Sequence, residues 1–420
     1  MEFINGSYTL GGVPLAELTE QFGSPLYVYH GEKIEAQYKR IRSAFAGLNC
    51  KIKYACKANA NLNILRLLLT QGAGLDVVSI EEAHLGIQAG FAPDQILFTP
   101  NCVSFAELAA GVKLGLQINL DNIALLEQFG ATYGSGVPVI IRINPHILAG
   151  GHGNIQTGHI DSKFGISIHQ LRHILRVVRA YKMRVTGLHM HTGSDILDPE
   201  VFVAGAEVLL GAAMEFEELE SIDFGSGFKV AYKDDDHTTD IEDLGRKLTE
   251  RMAAFTQEYG RSLQVWFEPG KFLVSESGYL LVSANVIKQT VSTVFVGVDS
   301  GLNHLLRPML YNAYHRIVNL SNPTGLERVY SVVGYICETD TLGWDRKLNE
   351  VRTGDVLALC NAGAYGFSMS SNYNCRLRPA EVLIYQGQAH LIRRRETFED
   401  LMALQLELPQ LKPAEVVLQK

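Results

Sequence analysis

The 420-residue chain carries 37 Lys and Arg against 45 Asp and Glu, a net charge of −8, and is 47% hydrophobic. That length favours two or three domains with full cores, and the acidic balance gives no basic footprint for nucleic acid or anionic lipid. With a polar, mixed start over residues 1–12 and no apolar run near the roughly 20 residues a membrane helix needs, the expectation is a cytoplasmic protein without a membrane partner.

In chain order, residues 25–29 are strand-like and precede a helix over 32–45. Eight short β-rich runs follow, at 52–56, 75–79, 96–100, 116–120, 139–144, 185–191, 222–225 and 265–268. Helical periodicity fills most of the gaps, at 62–70, 80–89, 104–114, 122–129, 168–181 and 199–216. Thr239 and Glu242 have capping-box spacing and predict a last helix running to about Tyr259. Near-continuous apolar strands alternating with helices mean a parallel sheet covered on both faces. Eight such units fit a (β/α)8 TIM-like barrel, with a doubly wound open sheet as the structural alternative.

After Gly278 the long helical periods stop and β-branched alternation takes over, at 279–291, 293–298, 328–333 and 356–359. Runs at 380–385 and 389–393 flank Gln386-Gly387-Gln388, a hairpin signature. The α/β fold expected is therefore a barrel over residues 31–275 plus a C-terminal all-β domain. That domain spans 276–420 and takes in 1–30 through the N-terminal strand. The charge run from Lys233 to His237 fits a solvated loop better than a metal site. Cys50, Cys56, Cys102, Cys337, Cys360 and Cys375 show no C-x-x-C pair, which argues against zinc and against a disulfide framework.

Active sites of such barrels lie at the C-terminal strand ends, often with phosphate held after strands seven and eight. Lys57 follows the first strand run, Asp76 lies in the second, and Arg142 with Asn144 in the fifth. The sixth ends in His189-Met190-His191-Thr192-Gly193-Ser194, the seventh in Gly225-Ser226-Gly227, and the eighth in Glu268-Pro269-Gly270-Lys271. A buried, unpaired ammonium is costly, so Lys57 is expected as a neutral amine able to form a Schiff base with an aldehyde. Glycines let backbone amides approach a phosphate, and serine or lysine adds donors. Taken singly, the glycines read as a turn, His191 as a core histidine and Glu268-Pro269-Gly270 as a strand end. Together they offer an amine, a phosphate cradle, an imidazole and a carboxylate around one mouth, and pyridoxal 5'-phosphate uses every part.

Several motifs then carry a resemblance over residues 25 to about 395. They are Tyr54-Ala55-Cys56-Lys57-Ala58-Asn59, Ser162-Lys163-Phe164-Gly165, His191-Thr192-Gly193-Ser194, Glu268-Pro269-Gly270-Lys271, Arg307-Pro308 with Leu310-Tyr311, Cys337-Glu338, and the long run from Gly363 to Asn374. The chain resembles the fold-type III pyridoxal-phosphate decarboxylases, most closely those acting on diaminopimelate.

The resemblance implies that Lys57 holds the cofactor aldehyde, Glu268 pairs with the ring nitrogen and His191 stacks on the ring. It places phosphate on Ser194, the Gly225–Gly227 loop and the Pro269-Gly270-Lys271 turn, with Asp76 nearby and Tyr365 closing the site. Arg307, Tyr311 and Lys271 would meet a substrate carboxylate. Cys337 would move a proton and Glu338 would bind the distal amino group, both reaching in from the partner of a homodimer with shared sites. The activity implied is decarboxylation of meso-2,6-diaminopimelate to L-lysine. The alternatives are a sister decarboxylase of D-lysine, D-ornithine or a carrier-bound amino acid, a racemase-like enzyme, and a non-catalytic homologue. The chain departs from the family pattern at Ser226, Lys271 and Thr339-Asp340, where glycine, arginine and Ser-Gly-Asp are usual. The last two bear on substrate choice.

Overall fold

The computed structural model describes residues 1–147, 158 and 161–411. Eight parallel strands close on themselves: β1 (Cys50–Ala55), β2 (Gly74–Val77), β3 (Ile96–Phe98), β4 (Gln117–Leu120), β5 (Val139–Asn144), β6 (Val185–His189), β7 (Ser221–Asp223) and β8 (Gln264–Phe267). Each pairs with the next, and β8 returns to β1 through Val265 opposite Cys50. The TIM-like barrel is thus present, and the open-sheet alternative falls.

Local sequence accounts for the helices between the strands. Leu62–Thr70, Ile80–Ala89 and Phe105–Leu114 start behind Asn61, Ser79 and Ser104, whose side chains accept backbone N–H groups of the first turn. Gly90 and Gly115 then end the second and third in left-handed conformation. One expectation fails in detail. The helix Ile241–Tyr259 is capped by Asp240, whose carboxylate accepts from the Asp243 N–H, and not by Thr239. The Thr239 hydroxyl is already engaged, accepting from the Lys229 N–H and donating to the Ile196 carbonyl.

Alternation along β1 sends Ile52 and Tyr54 outward to the helices and Lys53 into the barrel. There the Lys53 ammonium donates to Gln117 and lies 4.3 Å from the Trp266 ring centre, at the end opposite the mouth. Nearer the mouth the interior is polar: Asp76, Asn119, Arg142, His189, Asp223 and Glu268 are all buried there. Desolvating this much charge opposes stability, which points to function at that end.

The second sheet runs in the order Thr341–Asn349, Glu327–Val333, Val294–Val298, Gly278–Gln289, Leu26–His30, Ala380–Tyr385 and Gln388–Arg393. Leu26–His30 sits inside it, antiparallel to Gly278–Gln289 and parallel to Ala380–Tyr385. The hairpin turn is Gln386-Gly387, both with positive φ as a two-residue turn requires. The sequence reading did not contain Thr341–Asn349, Ile317–Asn319 or the small sheet of Glu2–Ile4, Ser7–Leu10 and Val13–Pro14. Among the described residues, no helix is long and apolar enough to cross a membrane.

Candidate active site

The strand ends open into one cavity of about 780 Å3. Its walls hold Lys57, Asp76, His191, Ser194, Glu268, Lys271, Arg307, Tyr311 and Tyr365. Lys57 stands on a single 3-10 turn after β1, held by Asn59 N–H to Cys56 carbonyl, and its side chain runs exposed into the space. Although open to the cavity, the amine loses water to the surrounding walls, which lowers the Lys57 pKa, but Asp76, Tyr365 and Glu268 outweigh this and the net shift is upward. The neutral amine expected from the sequence is therefore corrected: with the two acids facing it, Lys57 is an ammonium in the unliganded site. Asp76 in turn is raised to about 7, first by burial and then by Glu268, with Lys57 opposing.

Glu268 directly follows β8, and its Oε2 lies 3.2 Å from His189 Nε2. His189 Nδ1 lies 2.8 Å from Asn119 Nδ2, so three strands feed a buried Asn119–His189–Glu268 chain. An amide donating to Nδ1 leaves the proton on Nε2, which donates to Glu268. Burial pushes the His189 pKa down, and Glu268 offsets this only in part. Burial would raise Glu268, yet His189, through charge and hydrogen bond, and Lys57 hold it below the ordinary carboxylate range. A neutral His189 acts on it through the hydrogen bond. Glu268 Oε1 remains buried without a partner among the described residues.

Beside the cavity, and sharing Lys57, His191, Ser194, Glu268 and Lys271 with it, a small pocket is lined by Ser226, Gly227 and Gly270. Gly225 and Gly227 have φ of +64° and +117°, and a Cβ on Gly227 would lie 2.2 Å from the Gly193 carbonyl oxygen. Only glycine permits that close crossing of loops. The Ser226 N–H donates to His191 Nδ1 at 3.3 Å, tying the loop to the imidazole. Burial first, then Arg142 and Lys57, push the His191 pKa well down, so its ring is neutral. Pro269 anchors the turn after β8 by accepting the Ala55 N–H. Lys271 is buried, and its ammonium is 2.5 Å from Asp195 Oδ1. It is a paired cation.

Arg307 is 8% exposed, and its Nη2 donates to the Tyr232 hydroxyl at 3.1 Å. Its guanidinium carbon lies 5.5, 5.7 and 5.9 Å from the ring centres of Tyr232, Tyr311 and Tyr365. Its Nε has no partner, and no carboxylate pairs with it among the described residues. Tyr365, at φ +55°, donates its N–H to Ala58 and so docks the second sheet on the Lys57 turn.

Cys337 and Glu338 are not brought to this cavity. Both are exposed on the second sheet's loops, with Cys337 held by Asn374 and Glu338 by the Tyr373 hydroxyl at 2.8 Å. The sequence reading gave no role to His189, Asp195 or Tyr232. His189 was findable, since i and i+2 spacing puts it on the same strand face as His191. The charge run after Tyr232 is more than a solvated loop, because Lys233 and Asp236 line the cavity mouth.

A family model described as the pyridoxal binding domain of pyridoxal-dependent decarboxylases matches residues 31–275. A diaminopimelate decarboxylase of Methanothermobacter thermautotrophicus is 39% identical over 407 residues, 94% of this chain and 95% of that one. The chain belongs to the diaminopimelate decarboxylase family. The Bacillus subtilis diaminopimelate decarboxylase is 35% identical over 421 residues, covering 96% of each. A solved diaminopimelate decarboxylase from Methanocaldococcus jannaschii, in complex with L-lysine, superposes with a TM-score of 0.90 at 34% identity over 98% of both chains.

Pyridoxal 5'-phosphate is the cofactor of this family, and the residues present fit it. The unpartnered Glu268 Oε1 suits a protonated ring nitrogen. The glycine crossing at 225–227, with Ser194 and Ser226 beside it, suits a phosphate.

Proposed function

We propose that the chain binds pyridoxal 5'-phosphate through Lys57 and decarboxylates meso-2,6-diaminopimelate to L-lysine and carbon dioxide, the last step of lysine biosynthesis. The observation that carries this reading is Arg307: a buried guanidinium without a carboxylate partner among the described residues, in the same cavity as Lys57 and Glu268. Such a cation favours a substrate with a second carboxylate, because a substrate lacking one leaves it unpaired.

The cofactor, when bound, supplies the sink for the electrons left as carbon dioxide departs. The chain's own groups do the rest. Lys57, once its ammonium has given up a proton, would hold the cofactor at its aldehyde, and Glu268 Oε1 would favour a proton on the ring nitrogen. His191 would lie against the ring, while Ser194, Ser226 and the amides of Gly227 and Gly270 would hold the phosphate. Arg307, with Tyr311, orients the non-reacting carboxylate. Lys271 serves the phosphate end as half of an ion pair and is not the main carboxylate grip.

The working form in this reading is a cytoplasmic homodimer with shared sites. Its support is that Cys337 and Glu338 are displayed on exposed loops away from their own chain's cavity. There they are available to supply a proton and a binding carboxylate to the partner's site. The test is carbon dioxide release and L-lysine formation by the purified protein with pyridoxal phosphate. The expected order is meso-diaminopimelate well ahead of D-lysine and D-ornithine. Preference for either of those would leave the reaction class and overturn the substrate.

A further inference from the structure

Two carboxyl groups meet at the ends of adjacent strands β7 and β8, where Asp223 pairs in register with Trp266, two residues before Glu268. His189, Asp223 and Glu268 each present an oxygen or nitrogen within 4.8 Å of the others', and all three are buried. Asp223 Oδ1 accepts the Gly225 N–H at 2.8 Å, so this carboxyl also fixes the glycine turn at the phosphate end. Asp223 Oδ2 and Glu268 Oε1 are both buried without a partner among the described residues.

The charged groups around the pair are Lys53 from β1, Asp76 from β2, Arg142 from β5 and Lys57 above them. Lys53 donates to Gln117, and no ion pair joins Asp223 to a cation among the described residues. Two buried carboxyl groups this close oppose each other's ionisation and titrate as a pair, which favours a state with one proton between them. The hydrogen bonds decide where it sits. Asn119 donates to His189 Nδ1, so His189 Nε2 carries a proton and donates it to Glu268, a hydrogen bond that is stronger when Glu268 is the anion. Asp223 accepts one backbone N–H and, among the described residues, no further donor.

We propose that Asp223 is a positioning residue that keeps the shared proton of this pair, so that Glu268 carries its single negative charge. Burial and the neighbouring Glu268 both push the Asp223 pKa far up, in agreement with this assignment. The division matters for the chemistry. A charge on Asp223 would sit beside the glycine turn, whereas a charge on Glu268 faces the position a ring nitrogen would take. The role rests on the proposed cofactor, but the location of the proton does not.

The test is infrared spectroscopy of the full-length protein labelled with 13C-carboxyl aspartate, with and without pyridoxal phosphate. The expected result is a protonated-acid carbonyl band from aspartate at neutral and alkaline pH, retained in Asp76→Asn and absent in Asp223→Asn. A wild-type protein without such a band, or a stoichiometric metal ion bound in its place, overturns the assignment, and neither observation needs a variant that folds. A second arm measures pyridoxal-phosphate affinity. Asp223→Asn, which copies the neutral acid, should bind within about threefold of wild type, while Asp223→Ala should lose roughly tenfold or more by freeing a buried N–H. Equal losses in both variants would mean that Asp223 works as an anion. If the wild type binds no pyridoxal phosphate, the proposed function fails while the infrared result still decides Asp223.

Discussion

Replacing Arg307 with alanine separates recognition of the second carboxylate from everything else the cavity does. The guanidinium is 8% exposed, lies among three tyrosine rings and, among the described residues, has one neutral hydrogen-bond partner, Tyr232. A carboxylate arriving there gains a charge-assisted hydrogen bond, worth about 1.5–3 kcal/mol net. Removing it should lower kcat/KM on meso-diaminopimelate by roughly ten- to a hundredfold, since each ~1.4 kcal/mol is tenfold. D-Lysine has no second carboxylate, so any slow turnover of it should change by less than about threefold. The assay is carbon dioxide release with each substrate on wild type and variant, after equal cofactor loading is confirmed by absorbance. Equal losses on both substrates would refute the argument and make Arg307 a structural residue of the tyrosine cage.

Three further outcomes follow from the same geometry. Glu268→Gln should retain pyridoxal phosphate but slow decarboxylation by about a hundredfold or more, because a neutral amide does not hold the ring-nitrogen proton; near wild-type turnover would contradict this. Asp76, raised to about 7 in the fold against 3.8 as a free side chain, binds its proton more tightly when folded. Its contribution is therefore fully present below about pH 4 and is lost as pH rises through 7, a few kcal/mol in all. In denaturant unfolding of the cofactor-free protein, Asp76→Asn should become progressively more stable than wild type across that window, and parallel profiles would exclude the shift. Mixing inactive Lys57→Ala with inactive Cys337→Ala should restore activity in heterodimers, since one site then receives both intact residues. No recovery after proven subunit exchange would place the whole site in one chain.

The barrel was legible because its strands are buried on both faces and its helices carry period, caps and stops. The runs at 62–70, 80–89 and 139–144 coincide with the observed elements to the residue. What escaped was structure without that contrast. Thr341–Asn349 lies at one end of the sheet order; Leu342 and Leu348 are buried, but the charged, mostly exposed stretch from Trp344 to Lys347 between them interrupts the apolar alternation. Ile317–Asn319 is three residues long, too short for any period to register. Of the site, the strand-end residues were readable because topology fixes where strand ends meet. The pairing of Lys271 with Asp195 was not, as 76 residues separate them and only the crossing of two glycine loops brings them together. Nor was the charge state of Lys57, because it depends on Asp76 and Glu268 arriving from β2 and β8.

The most direct test of the account is the identity of the lysine that carries the cofactor. Borohydride reduction of the protein loaded with pyridoxal phosphate, followed by peptide mapping, should place the label on Lys57 and leave Lys53 and Lys271 unmodified. Lys53 is engaged inside the barrel with Gln117 and Trp266, and Lys271 is paired with Asp195. Label on another lysine, or none at all, would contradict the assignment of this cavity as a pyridoxal-phosphate site.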